Sequence, residues 1–385
     1  MKYSAPYFTQ VFKIQPRGQL EKVTTWEIAV IGAGLAGLSC AQRLAQAGYQ
    51  VGIVEKSRGL GGRLASRRLH QTQADHGARS LQPQTDLLRS LIATLTELDL
   101  LQPWQAQSYI WQNQQLTVSP DQTHYVAPQG ITAVAKFLAT GLTIHRQCRA
   151  VSLSPIAAGW QIQAQAGDAI ASFSAHTVIL AIPAPQALDL LKSLPPEVLD
   201  QQGIASLSHI TYHPCFSVMA GYPASQSDRS QSLFPAGWQI DFVGDSDSEL
   251  LWLGLESSKR SGADRPLVVA QSGAAFAQAH LETTDLTQVG QTLLQAAAAK
   301  LLWPWLSQPD WLQVQRWRYA FVDRGSSEPV LQLVQTPQLL SCGDGWASSG
   351  IAAALQSGFA AAARFNQQNQ QRSLLSMSAL CQRLQ

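Results

Sequence analysis

Three glycines and one carboxylate near the start of the chain have the types and the spacing to hold a dinucleotide. Gly32-x-Gly34-x-x-Gly37 is followed, after one further apolar run, by Glu55. In such a unit the first glycine permits a tight turn. The second lets main chain approach a pyrophosphate, and the third lets helix and strand pack closely. The helix beginning there offers unpaired N–H groups and a partial positive charge to phosphate. Glu55 can accept hydrogen bonds from a ribose diol. Ala33, Ala36 and Lys56 belong to the same unit and are assigned to its lining.

Further residues extend this chemistry. Gly59-Leu-Gly-Gly-Arg63 supplies Gly62 and Arg63, where main chain can pass close to a ligand while a guanidinium forks onto phosphate or ring oxygens. Asp75-His-Gly-Ala-Arg79 adds Gly77, Ala78 and Arg79. Arg67 and Arg68 thicken the local positive charge, which suits a phosphate-bearing ligand. Far along the chain, Gly343-Asp344-Gly345 precedes a small-residue helix that starts near Ile351. An acid there can hold a ribityl hydroxyl, and the helix can aim its N-terminus at a flavin. An NAD dehydrogenase would continue with βαβ units after Glu55, so the set reads as FAD.

The elements that must position these groups follow from hydrophobic pattern. Residues 26–31 predict a strand, 35–47 a helix, and 49–54 a second strand ending at Glu55. A second block predicts a helix at 130–140 and strands around Ile144, at 150–153, 160–166 and 177–182. The last is apolar throughout, as a parallel strand covered on both faces would be. A third block predicts a strand leading into Gly343 and a helix at about 350–364. Residues 83–125 and 207–317 hold most of the tryptophans and several alternating stretches. The expected fold is α/β, a Rossmann-type FAD-binding domain (26–82, 126–206 and 318–365) with an inserted substrate domain (83–125 and 207–317). Residues 1–25 form an N-terminal extension, and 366–385 a Gln-rich polar tail without a core to join.

Composition bounds the alternatives. The chain has 385 residues, 45% hydrophobic, with a formal net charge of +2, too small a field to favour nucleic acid or an anionic membrane. Five cysteines without paired spacing read as reduced core thiols. His209, His213 and Cys215 have the look of metal-ligand spacing, but they lie on a strand where residues four apart stand ~13 Å apart, so no metal is expected. The first 25 residues lack a basic-then-apolar leader, and no apolar run approaches the ~18–20 residues of a membrane span. A soluble, cytoplasmic protein is expected.

Residues 26–82 resemble the nucleotide site of the FAD-binding flavin amine oxidase superfamily. Tyr125-Val-Ala-Pro-Gln-Gly-Ile131, Ser257-Ser-Lys-Arg260, Trp317-Arg-Tyr-Ala320 and Cys342-Gly-Asp-Gly345 resemble its renalase-like members. The likeness spans roughly 26–365 and implies a p-hydroxybenzoate-hydroxylase-like architecture, with an antiparallel sheet over the flavin. It implies FAD contacts from Gly32, Gly34, Gly37, Glu55, Arg63, Gly77, Ala78 and Asp344, with Gly343 beside the last. Val151 would lie by the adenine, and Pro128 to Gly130 by the isoalloxazine. The family's aromatic after the Asp-x-Gly-Ala motif is replaced by Arg79-Ser80-Leu81. Cys342 sits where a covalent flavin thioether is not expected, so FAD is taken as noncovalent.

The activity this likeness implies is hydride removal from 1,2- or 1,6-dihydro isomers of NAD(P)H. The products would be NAD(P)+ and, with O2 as acceptor, hydrogen peroxide. A dihydropyridine becomes an aromatic pyridinium directly, so no general base is needed. The sequence offers no Ser-His-Asp or Cys-His arrangement of persuasive spacing, and no catalytic residue is assigned. Substrate phosphates would meet Lys259 and Arg260 with Arg265, or Arg318 with Arg316, and Tyr212, Trp238 or Trp317 would line the ring's slot. An amine oxidase, a carotenoid- or lipid-type oxidoreductase and a non-catalytic flavoprotein are the alternatives on the same fold.

Overall fold

The computed structural model describes residues 24–120, 122–226, 237–244, 248–262, 265–346 and 350–385. Most of the N-terminal extension, residues 1–23, lies outside the described residues.

The strand Thr24–Ile31 occupies the middle of the first sheet, parallel to Val51–Val54 on one side and Ala169–Leu180 on the other. Its alternation decides which core each side chain joins. Ile28 and Val30 point into a core shared with the helix Leu35–Gln46, while Ala29 and Ile31 pack on the opposite face with Trp160, Val178 and Leu180. Thr143–His145 extends the sheet beyond Val51–Val54. Leu339–Ser341 lies parallel to the last residues of Ala169–Leu180, whose first residues pair instead with the antiparallel ribbon Arg149–Ile156 and Gly159–Ala166. The parallel strands therefore end together at Ile31, Val54, Leu180 and Ser341, bringing Gly32, Glu55 and Asp344 to one edge.

The helix Ile351–Gln368 packs directly on Leu35–Gln46. Gly358 makes this approach possible, since a Cβ there would stand 2.3 Å from the carbonyl oxygen of Ala36.

The second sheet runs Trp311–Arg324, Thr211–Gly221, Leu267–Ser272, Leu250–Leu255, Trp238–Phe242, Gln107–Gln112 and Gln115–Val118. All neighbours are antiparallel except Trp238–Phe242 with Gln107–Gln112. One face, with Phe216, Val218, Ile240, Leu253 and Val268, is covered by Val289, Leu293 and Leu294 of the helix Leu286–Leu301. The other face turns to the nucleotide domain, where Met219, Trp252 and Val269 pack with Ala74. No helix among the described residues is long and apolar enough to cross a membrane.

Three expected boundaries are corrected. A break at 317/318 would fall inside Trp311–Arg324, which stays paired with Thr211–Gly221 along its length, so the substrate sheet extends to Arg324. Residues 83–125 are divided between the domains. The helix Asp86–Glu97 buries Leu88, Leu91, Ile92 and Leu95, an i, i+3, i+4, i+7 stripe, in the nucleotide core. The segment contributes Gln107–Gln112 and Gln115–Val118 to the edge of the substrate sheet.

The Gln-rich tail is also not a solvated extension. Ile351–Gln368 runs into it, and Asn366 accepts the Tyr49 hydroxyl at 2.7 Å. The helix Met377–Arg383 then buries Met377, Leu380 and Cys381 in the nucleotide core. Polar composition hid this short apolar stripe.

We expect Leu380→Ala to destabilise the protein by about 2–4 kcal/mol, as for other fully buried leucines. Denaturant unfolding checks this, and an unchanged midpoint would mean that the last helix is not part of the cooperative core.

Candidate functional site

Each glycine of the first turn has its own reason. Gly32 has φ +107°, and a Cβ on it would lie 2.7 Å from the carbonyl oxygen of Ala181. A Cβ on Gly37 would lie 2.0 Å from that of Gly32. Both are therefore fixed by packing. Gly34 is different, with nothing within 4 Å of where its Cβ would stand. It caps the helix Leu35–Gln46, which has no side-chain cap and no acid in its first turn. Gly350 begins Ile351–Gln368 under the same conditions, with nothing among the described residues within 4 Å of where its Cβ would stand. Both helices thus begin with N–H groups and partial positive charge and have, among the described residues, no side-chain cap and no acid in the first turn.

Glu55 is buried at the same edge. Its carboxylate oxygens accept the N–H groups of Ala33 and Ser57, both at 2.7 Å. The Gly61 N–H donates to the Ala33 carbonyl at 2.8 Å, pinning the Gly59–Arg63 loop against the turn. Glycine backbone beside open space, uncapped helix ends and a buried carboxylate at the end of the second strand together fit FAD.

Arg63 and Asp344 meet through two hydrogen bonds of 2.6 Å, and Arg63 also donates to the Ala320 carbonyl at 3.1 Å. The guanidinium lies 5.9 Å from the centre of the Tyr212 ring. Burial, reinforced by the Asp344 carboxylate, pushes the Tyr212 phenol well up, so it stays protonated. Cys342, next to this corner, is buried and its thiol is pushed up to about 12.

The turn at 76–79 is gripped from the substrate domain by its carbonyl groups. Trp317 Nε1 donates to His76 O at 2.7 Å, Gln271 Nε2 to Gly77 O at 2.8 Å, and Lys259 Nζ to Arg79 O at 2.7 Å. On the nucleotide side, the Ala78 N–H donates to the Arg63 carbonyl at 2.8 Å. The His76 ring stacks on Trp317 at 5.4 Å. Burial, with the Arg67 cation second, lowers its pKa to about 4, and its Nδ1 has no hydrogen-bond partner. Arg67 itself donates to Gln315 at 2.7 Å and Gln313 at 3.2 Å, both uncharged amides.

Other expected cofactor residues are spread around this centre. Ala36 is buried under Gly358, Lys56 is exposed and donates to Gln186, and Gly62 sits against Gly34. Pro128 O accepts from Gln73 and Arg260, both at 3.1 Å, and Gly130, at φ +84°, closes that turn. Val151 is the bulged residue between Ala150 and Ser152. The Gly343 N–H donates to Ser357, and Ile351 opens the last long helix. Arg79 turns to the substrate domain, donating to Gln271 at 2.7 Å and Asp241 at 2.8 Å over the Trp252 ring.

Four expected substrate contacts are corrected. Trp238 is fully buried and packs edge-on against Trp303 in the substrate-domain core. Lys259 is equally buried, and its charge and that of Arg260 are met by Glu256 and Asp75. Arg318 lies at the surface, paired with Glu282 at 2.6 Å. Arg316 donates to the carbonyls of Leu281 and Thr283, and Arg265 faces Asp310 at 3.9 Å. Tyr212 and Trp317 remain at the interface between the domains. The residues missed are Gln313, Gln315 and Gln271, while Arg67, expected to add positive charge for a phosphate-bearing ligand, meets the first two. The spacing Gln313-x-Gln315-x-Trp317 on a strand places three side chains on one face, and that signal was available. Among the described residues no group of three or more His, Cys, Asp or Glu is arranged to hold a metal.

We expect Arg63→Ala to weaken FAD binding roughly 30–150-fold, measured by titrating the apoprotein. Full retention of FAD after prolonged dialysis would make the Arg63–Asp344 pair purely structural. A second expectation concerns pH. Because His76 falls to about 4 in the folded chain from 6.5, the unfolded chain takes that proton first, and stability is lost as pH drops through this window. His76→Gln should flatten that loss by roughly 2–3 kcal/mol at the acid end, read from denaturant curves between pH 7 and 4.

The sequence matches the NAD(P)-binding Rossmann-like domain over residues 30–95 and the flavin containing amine oxidoreductase family over residues 103–366. Among solved structures, wild-type putrescine oxidase bound to putrescine is similar at 14% identity and TM-score 0.65, covering 89% of this chain and 99% of that one. Cyclohexylamine oxidase from Brevibacterium oxydans IH-35A is similar at 12% identity and TM-score 0.64, covering 90% and 99%. At these identities the likeness shows the fold. With most of its length matched, the chain belongs to the flavin-containing amine oxidoreductase family and is an FAD-dependent oxidoreductase.

Proposed function

We propose that this enzyme is a renalase-like oxidase of isomeric dihydronicotinamide dinucleotides, the 1,2- and 1,6-dihydro forms of NAD(P)H. The observation that carries this reading is the wall opposite the 76–79 turn. It presents the amides of Gln271, Gln313 and Gln315 and the Trp317 ring, and facing them Arg67, from the nucleotide-domain strand Ser66–Leu69, brings a guanidinium whose hydrogen bonds among the described residues go to uncharged amide oxygens. A small aliphatic amine would have no use for that cation. A ligand with a planar ring and a pyrophosphate would, and Arg67 takes the role first assigned to Lys259 and Arg260.

The chemistry asks little acid–base help of the chain. Loss of hydride from a dihydropyridine yields an aromatic pyridinium, and overall the substrate, O2 and one proton give NAD(P)+ and hydrogen peroxide. Bound FAD supplies the two-electron acceptor. The chain's task is to hold the ring in one orientation and keep water away. His76, neutral above about pH 4, leaves the neighbourhood of the turn without a competing imidazolium.

A second reading, amine oxidation, is favoured by the Tyr212–Tyr319 pair, with ring centres 5.8 Å apart at 67°, next to the Arg63–Asp344 corner. Noncovalent FAD suits both readings, since Cys342 is buried and protonated.

Anaerobic mixing of the holoenzyme with 1,2- and 1,6-dihydro-NAD(P) and with a panel of primary amines separates the two by flavin bleaching. We expect rapid bleaching by a dihydronicotinamide isomer and none by amines. Arg67→Ala should raise KM roughly ten- to a hundredfold while leaving the limiting rate of flavin reduction little changed, because a phosphate contact is made equally in ground and transition states. Bleaching by amines alone would overturn the dinucleotide reading.

A further inference from the structure

The mechanism just outlined does not use the most deeply buried charges in the molecule. Asp75, Glu256 and Lys259 have fully buried side chains, and Arg260 is nearly so. Lys259 Nζ lies 2.7 Å from Glu256 Oε2 and 3.6 Å from Asp75 Oδ2. Arg260 reaches Glu256 Oε1 at 2.9 Å and Asp75 Oδ2 at 3.5 Å. Two cations and two anions make the cluster neutral. Even so, such a group is costly to desolvate, and a well-packed apolar set of the same volume is often no less stable.

What the cluster holds distinguishes it from a mere pair of salt bridges. Lys259 donates to Arg79 O at 2.7 Å, and Arg260 Nε to Pro128 O at 3.1 Å. Glu256 accepts the Asp75 N–H, and Asp75 Oδ1 accepts the Ile131 N–H, each at 2.9 Å. Four residues thus fix the main chain of two turns, 75–79 and 128–131. Both turns belong to the nucleotide domain, while Glu256, Lys259 and Arg260 come from the substrate domain. The first turn also touches Arg63 through Ala78, and Arg63 touches Asp344. A dinucleotide running from the open space at Gly34 past Arg63 reaches this turn.

We propose that Lys259 and Arg260 are positioning residues through which the substrate domain sets the orientation of the peptide groups that face the flavin. A trans peptide is planar, with its C=O and N–H antiparallel. Fixing the carbonyls of Arg79 and Pro128 on the cluster side therefore projects the N–H groups of Ser80 and Gln129 away from the cluster. Trp317 holds the carbonyl of His76 toward the substrate sheet in the same sense, which sets the Gly77 N–H, whereas the Ala78 N–H opposite the Gly77 carbonyl is already given to Arg63 O. Donors preset in this way favour negative charge on a ligand lying against the turn, and reduced flavin carries more of it than oxidised flavin. The inference is independent of the substrate and rests only on FAD lying against these turns.

The test uses full-length enzyme stripped of FAD and reloaded. Lys259→Met alone leaves two carboxylates facing one cation, so Lys259→Met with Glu256→Gln is the decisive variant. It restores neutrality but not the donor to Arg79 O. We expect apoprotein melting near that of the parent, FAD affinity lowered roughly tenfold, and flavin absorption bands and midpoint potential displaced toward those of free FAD. Parental affinity, spectrum and potential in the double variant would overturn the proposal, leaving Lys259 as charge neutralisation alone. If the double variant does not fold, Trp317→Phe carries the same readings from outside the cluster. It removes the donor to His76 O while keeping an aromatic ring, and an unperturbed flavin would equally overturn the proposal. None of these measurements requires the substrate to be known.

Discussion

The contact on which the site depends is the paired hydrogen bond between Arg63 and Asp344, which joins positions 281 residues apart. It is made where the loop after the second strand meets the corner after the last strand of the sheet. Asp344 is only 5% exposed, so its charge would be expensive there without the guanidinium. The pair is also a hub. Through Ala320 it reaches the long substrate-domain strand, through Tyr212 the neighbouring strand, and through the Arg63 carbonyl the 76–79 turn. Nucleotide edge, substrate sheet and the 76–79 turn are thereby held to one another by a few directional bonds.

Around that corner the second sheet does two different jobs with its two faces. One is filled by the apolar side chains that pack under the helix Leu286–Leu301. The other carries Gln271 and Trp317, which bind main chain of the nucleotide domain, and Gln313 and Gln315, which leave Arg67 in neutral company. Strand alternation alone produces this division. The same alternation explains why Trp238, on the packed face, cannot line a substrate slot whereas Trp317 stands at the interface.

Much of the fold was legible because it depends on local pattern. The first turn, the two strands beside it and the closing helix follow from glycine spacing and apolar runs within a few dozen residues. The misjudged residues depend on long-range encounters. Lys259 and Arg260 look like free cations in a loop because Asp75, which shares their cluster, is more than 180 residues away in sequence. Arg318 is claimed by Glu282, and Arg79 by Asp241, neither a neighbour in sequence. The tail was misread for a different reason. Its glutamines dominate the composition, yet Met377, Leu380 and Cys381 suffice to seat a short helix. The division at 317/318 failed because a strand can begin over one domain and end beside the other.

That last strand, Trp311–Arg324, has a mechanical meaning. At about 3.4 Å per residue its fourteen residues span roughly 48 Å, and it is laddered to Thr211–Gly221 for nearly all of that distance. Just beyond it, Ser326 bridges to Trp346 at the nucleotide corner. It therefore acts as a beam built into both halves of the molecule. Swinging the halves apart would shear a row of backbone hydrogen bonds, whereas moving a loop or turning a side chain shears none. Traffic to and from a ligand held at the interface is best served by such local openings, with the beam keeping the register of the two surfaces unchanged from one turnover to the next.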